Sequence, residues 1–105
     1  MKDIAIFGAG GFGREVACLI KRINEKEPTW NFIGFFDDNE ALKGLPISHF
    51  GNCLGGAETL IAWEKPLAVV MAIGNSIVVN KIVEKITNTN IAFPNLIHPN
   101  FTISD

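Results

Sequence analysis

Gly8, Gly10 and Gly13 stand in the spacing G-x-G-x-x-G within the segment IFGAGGFGRE. Glycines at this spacing can hold a phosphate. The first lets the chain turn sharply out of a strand. The second keeps its backbone open to a phosphate, and the third lets a helix pack closely on the strand. The helix then starts at the ligand and offers it unpaired N–H groups and roughly half a positive charge. The chain holds ten glycines, so the spacing alone is a weak sign. Context strengthens it: the β-branched and aromatic run Ile4 to Phe7 precedes the glycines, and helical periodicity follows them. A tight strand–helix turn that binds nothing is the competing reading.

Two further features carry chemistry. Asp37 and Asp38 end an aromatic run, 24 and 25 residues after Gly13. An acid at this place in a dinucleotide-binding fold accepts hydrogen bonds from ribose hydroxyls, and like charge there disfavours a 2′-phosphate. The competing reading is a solvated turn, since Asp and Asn commonly end strands. Gly74, Asn75 and Ser76 follow the apolar run Leu67 to Ile73 and open another helix. Asn75 is placed to donate to a phosphate or sugar oxygen, and Ser76 to cap the helix. Turn and cap duty alone is again the competing reading. His49, His98, Cys18 and Cys53 have no partner at metal-ligand or catalytic spacing. No H-x-x-x-H, C-x-x-C, G-x-S-x-G or G-K-[ST] pattern occurs, so the signatures of metal hydrolysis, thiol redox, serine hydrolysis and P-loop chemistry are missing.

The elements that must position these residues follow from periodicity. Strands are expected at Ile4–Phe7, Trp30–Phe36 and Leu67–Ile73, with short ones near Leu45–Ile47 and at Ile91–Phe93. Helices are expected at Arg14–Asn24, Ala57–Glu64 and Ser76–Asn88. Alternating strands and helices imply a parallel sheet covered on both faces. The expected fold is α/β, a small Rossmann-like three-layer domain with a mainly parallel sheet in the order 3-2-1-4-5. In that order the two glycine turns leave neighbouring strands where the winding reverses, which is where such sheets bind ligands.

Composition is consistent with this. Hydrophobic residues make up 48 % of the 105 residues and charged residues 19 %, as in a packed domain rather than a disordered one. The formal charge is −2, and the nine basic residues form no patch, which argues against nucleic acid and anionic membrane as partners. The longest apolar run has seven residues, Leu67 to Ile73, too short to span a bilayer. No signal peptide is visible, and a cytoplasmic location is expected.

The segments IAIFGAGGFGREVACLI, GFFDDN, AVVMAIGN and LIHPNFTIS occur in that order along the chain. Together they resemble the N-terminal domain of bacterial sugar O-/N-acyltransferases of the left-handed β-helix class. These include sialic acid O-acetyltransferases and UDP-4-amino-sugar N-acetyltransferases. The resemblance implies that residues 1–94 form a Rossmann-like module binding a nucleotide-sugar acceptor. Gly8, Gly10, Gly11 and Gly13, with Phe12 among them, would line the phosphate. Asp37 and Asp38 would meet the nucleoside, and Gly74 and Asn75 would close the pocket. Phe12 stands where the family often has His, and Val79 where it often has an Arg, so any contact from that Arg is missing.

The resemblance further implies that residues 95–105 lead into a β-helix that lies beyond this chain. That β-helix would bind acetyl-CoA, supply the catalytic His and join the parent protein into a homotrimer. No cofactor, metal or catalytic residue is expected within the 105 positions, and His98 does not match the catalytic His. Two other readings compete: a free-standing NAD(H)-binding module of an oxidoreductase or redox sensor, and a structural domain without ligand.

Overall fold

The computed structural model describes residues 1–94 in full, and beyond them the backbone of the strands Leu96–His98 and Phe101–Ile103. The lead-in expected over residues 95–105 otherwise lies outside the described residues.

Strand β1 (Lys2–Phe7) leads into helix α1 (Gly11–Lys26), and strand β2 (Trp30–Phe36) follows. A short 3-10 turn at Glu40–Leu42 precedes β3 (Pro46–Ile47), β4 (Gly51–Gly55) and helix α2 (Ala57–Ile61). Strand β5 (Leu67–Met71), helix α3 (Ser76–Lys85) and strand β6 (Ile91–Ala92) complete the main sheet. The remaining strands, β7 (Leu96–His98) and β8 (Phe101–Ile103), pair antiparallel as a separate hairpin.

The main sheet has six strands in the order β3-β4-β2-β1-β5-β6. Every neighbouring pair is parallel except β3 with β4. This is the expected 3-2-1-4-5 winding with one antiparallel strand added at an edge. Strand β4 is the third parallel strand, and the sequence reading missed it. Its sequence, GNCLG, offers only Cys53 and Leu54 as apolar residues and is bounded by glycines. It is a strand because β2 and β3 pair with it, not because of its own propensity.

Central β1 shows why the sheet is covered on both faces. Ile4 and Ile6 point to one side, where they pack with Val16, Leu19 and Ile20 of α1 and with Phe35. Ala5 and Phe7 point to the other side, against Phe36, Leu60 of α2, Val69 and Ile82 of α3. All four β1 residues are buried, as a parallel strand under two helical layers requires. The apolar face expected on α1 is the buried face observed. In α3 the buried residue is Ile82, with Ile86 buried at its end and Val79 and Val83 half-buried. Among the described residues no helix is long and apolar enough to cross a membrane.

Several boundaries differ from expectation, three of them by three residues. Helix α1 starts at Gly11, three residues earlier than periodicity suggests, so Gly11, Phe12 and Gly13 form its first turn. Helices α2 and α3 end three residues early, at Ile61 and Lys85. The cap of α3 is Asn75, not Ser76: its Oδ1 accepts from the N–H groups of Ile77 (2.9 Å) and Val78 (3.3 Å).

Candidate functional site

Four parallel strands end side by side and are stitched together just past their last residues. The Gly8 N–H donates to the Phe36 carbonyl at 2.7 Å, and the Ala72 N–H to that of Phe7 at 2.8 Å. The Asp37 N–H donates to the Gly55 carbonyl at 2.8 Å. These bonds bring the turns after β1, β2, β4 and β5 to one edge of the sheet.

The glycine turn is shaped by two steric facts. Gly8 has φ +120°, and a Cβ there would lie 2.5 Å from the Ala72 carbonyl oxygen. Only glycine passes so close to β5 in that conformation. A Cβ on Gly13 would fall on the Gly8 carbonyl oxygen, so this glycine lets α1 sit against the end of β1. Gly10 is different: a Cβ there would meet nothing within 4 Å, and the residue is exposed. Its backbone is open to an approaching group.

The hydrogen-bonding of the turn leaves a defined set of donors. Gly8 N–H is used by Phe36, Ala9 N–H by Asp37 Oδ2 at 2.9 Å, and Arg14 N–H by the Gly10 carbonyl at 3.0 Å. Between them, the N–H groups of Gly10, Gly11, Phe12 and Gly13 have no partner among the described residues. Helix α1 has no side-chain cap and no acidic residue in its first turn. Its first N–H groups therefore have no protein partner among the described residues, as an anion site requires. Helix α3 is the opposite case, because Asn75 caps it. The Asn75 side-chain N–H₂ has no partner among the described residues and remains a donor at the exposed Gly74–Asn75 turn.

The two acids are less free than the sequence suggests. Asp37 accepts at both oxygens, from Ala9 through Oδ2 and from the Asn39 N–H through Oδ1 at 2.9 Å. Asp38 Oδ1 accepts from the Ala57 N–H at 2.8 Å and so holds the start of α2. Its Oδ2 has no partner among the described residues, and the side chain is exposed.

Beside the acids lies a polar cleft of about 270 Å³, lined by Asp37, Asp38, Glu40, Lys43, Glu58 and Thr59. The last four residues were not expected from the sequence. A signal for two of them was present: Gly55-Gly56 followed by a helix repeats, at β4, the strand–glycine–helix arrangement of the first turn. The cleft shares Asp37 with the glycine turn, so phosphate-type donors and a polar cleft adjoin on one edge.

The remaining candidates stand apart. His49 is exposed in the turn between β3 and β4, stacked on Phe50 with ring centroids 4.2 Å apart. Cys53 is buried and Cys18 exposed. Among the described residues no three His, Cys, Asp or Glu side chains could hold a metal ion.

The sequence profile of the PglD N-terminal domain matches residues 3–86. The chain belongs to that family. A solved structure described as the acetyltransferase domain of PglB from Neisseria gonorrhoeae FA1090 matches with a TM-score of 0.74 and 26 % identity, over 94 % of this chain and 45 % of that one. The same domain in complex with acetyl coenzyme A matches with a TM-score of 0.72 and 26 % identity, over 93 % and 44 %. None of the curated protein sequences matches significantly. The PglD-type chain therefore spans under half the length of these solved relatives. It has the fold of the N-terminal domain of a sugar acetyltransferase family.

Proposed function

We propose that this PglD-type domain holds a nucleotide-sugar acceptor, UDP-sugar-like, for an acetyltransferase that uses acetyl-CoA. The reaction would pass an acetyl group to an amine or hydroxyl of the sugar. The observation that carries the reading is the row of four unpaired N–H groups at Gly10–Gly13 on an open, uncapped helix start. Such a row binds the oxygens of a phosphate and offsets its charge.

The assignments along the edge follow from there. A diphosphate would lie on Gly8, Gly10, Gly11 and Gly13, with the exposed Phe12 flanking it. The nucleoside would lie toward Asp37, Asp38 and the polar cleft. Asp38, with one oxygen free, is the acid that would meet a ribose hydroxyl. Gly74 and Asn75 would border the sugar, with the Asn75 amide N–H₂ as donor.

Acetyl-CoA and the catalytic group would belong to the part of the parent enzyme that corresponds to the uncovered half of the PglB chain. One of those structures is in complex with acetyl coenzyme A, which supports acetyl-CoA as the acyl donor of the parent enzyme. A cytoplasmic setting, a hexapeptide β-helix reached through residues 95–105 and a homotrimer built on it complete the proposal.

Calorimetric titration of the chain with UDP, a UDP-amino-sugar and NADH tests the reading. Heat with the two uridine ligands and none with NADH is the expected outcome. NADH binding without a uridine response would replace the proposal with an oxidoreductase module, and no response to any ligand would favour a structural domain.

A further inference from the structure

Asp37 is the half-buried residue where three of the turns at the ligand edge meet. Its Oδ2 holds the Ala9 N–H of the turn after β1, and its Oδ1 holds the Asn39 N–H of its own turn after β2. Its N–H holds the Gly55 carbonyl at the end of β4. Each carboxylate oxygen thus accepts from one backbone amide. The Ala9 bond spans 28 residues and adjoins the four free N–H groups directly. It takes the donor just before that row and fixes the direction in which the chain enters α1.

The charge of this residue makes its placement informative. A carboxylate beside a phosphate site opposes binding by simple Coulomb repulsion. Toward the phosphate itself, an acid in this position helps through the geometry it imposes and not through its charge. We infer that Asp37 is a positioning residue of the nucleotide site. Its carboxylate holds the Gly8–Gly13 turn in the phosphate-receiving shape before any ligand arrives, and it does not act as a nucleoside contact. The inference rests on the nucleotide reading above and deepens it, leaving Asp38 as the acid for the ribose.

Asp37→Asn separates these roles. An amide replaces one oxygen with an N–H₂ group, which faces one of the two backbone N–H groups and cannot accept from it. The chain and its variant are titrated with UDP and with inorganic pyrophosphate, followed by amide shifts in NMR spectra. A positioning role weakens both ligands by the same factor, about tenfold, the usual scale for losing a hydrogen bond to a charged group. A nucleoside-contact role weakens UDP and leaves pyrophosphate unchanged or tighter, since a negative charge is gone. That result overturns the inference alone. Failure of the unmutated chain to bind either ligand overturns the nucleotide reading and the inference with it.

Amide hydrogen exchange on the unmutated, ligand-free chain gives a check that needs no variant. The Ala9 N–H is expected to exchange at least about tenfold more slowly than those of Gly10 and Gly11, because only it is held in a hydrogen bond. Equal exchange across the three would show that Asp37 does not hold the turn, and would overturn the inference.

Discussion

Gly13→Ala has opposite expected signs on two accounts, which makes it a sharp test of how α1 meets β1. Position 13 lies in the first turn of a helix. By intrinsic propensity alone, Ala in place of Gly within a helix gains about 0.5–1 kcal/mol. The fold reverses this. The new Cβ would fall on the Gly8 carbonyl oxygen, with the Gly8 carbonyl carbon at 2.9 Å and Ile6 Cγ2 at 3.6 Å. The nearest obstacles are backbone atoms, so no side-chain rotation relieves the overlap. The helix must move off the strand by an ångström or so, straining the Gly8–Phe36 and Ala9–Asp37 hydrogen bonds and loosening the packing of Val16 and Ile20 on Ile4 and Ile6. Overpacking of this kind costs about 1–3 kcal/mol, and strained hydrogen bonds add about 1 kcal/mol each. A net loss of about 3 kcal/mol corresponds to a fall in Tm of roughly 12–24 °C for a domain of this size. Gly10→Ala is the control, since nothing lies within 4 Å of its Cβ. It should cost at most about 1 kcal/mol, for a poorer helix cap. Thermal unfolding followed by circular dichroism reads both. A Gly13→Ala variant as stable as the unmutated chain, or more stable, would refute the close helix–strand approach.

Four other substitutions extend the account. Gly10→Val should keep the fold, with a loss of about 1 kcal/mol or less in denaturant melts, yet abolish UDP binding by filling the open approach to the free N–H groups; retained affinity would remove the glycine turn as the phosphate site. Asn75→Ala should lower stability by about 1 kcal/mol through the lost α3 cap, whereas Asn75→Asp keeps an accepting oxygen there and should hold or raise stability while weakening UDP binding through its added negative charge; equal stability of all three proteins would show that the cap bonds of Asn75 contribute nothing. Leu60→Ala removes a fully buried side chain from the layer under α2 and α3 and should cost about 2–5 kcal/mol in the same melts; a change below about 1 kcal/mol would contradict the packing of α2 on the sheet.

The strands that carry the central sheet were legible because burial on both faces leaves a continuous apolar signature. Ile4–Phe7 and Leu67–Met71 show it, and the same logic gave the α1 face. Strand β4 was not legible, since glycine, asparagine and cysteine carry no strand signal and the partners that order them are distant in sequence. The glycine turn was found from spacing and context. Its position inside the first turn of α1 was not, because glycines lower helical propensity while a close approach to the strand requires them there. Asp37 and Asp38 follow the end of β2, as the aromatic run indicates, but their bonds are not readable from it. Whether a carboxylate faces solvent or a backbone amide 28 residues earlier depends on how two turns pack, which no local pattern encodes. The exchange of Ser76 for Asn75 as the cap of α3 is a shift of one residue between two good capping types.

The central claim is that a phosphate-bearing ligand sits on the four free N–H groups of residues 10–13. Titration of ¹⁵N-labelled protein with UDP, read residue by residue, tests it most directly. The account predicts the largest amide shifts at Gly10, Gly11, Phe12 and Gly13, with smaller ones at Asp38 and at Gly74–Asn75. Saturating UDP that leaves those four amides unmoved, or shifts only residues at the opposite edge of the sheet such as Lys2, Trp30 and Leu67, would contradict it.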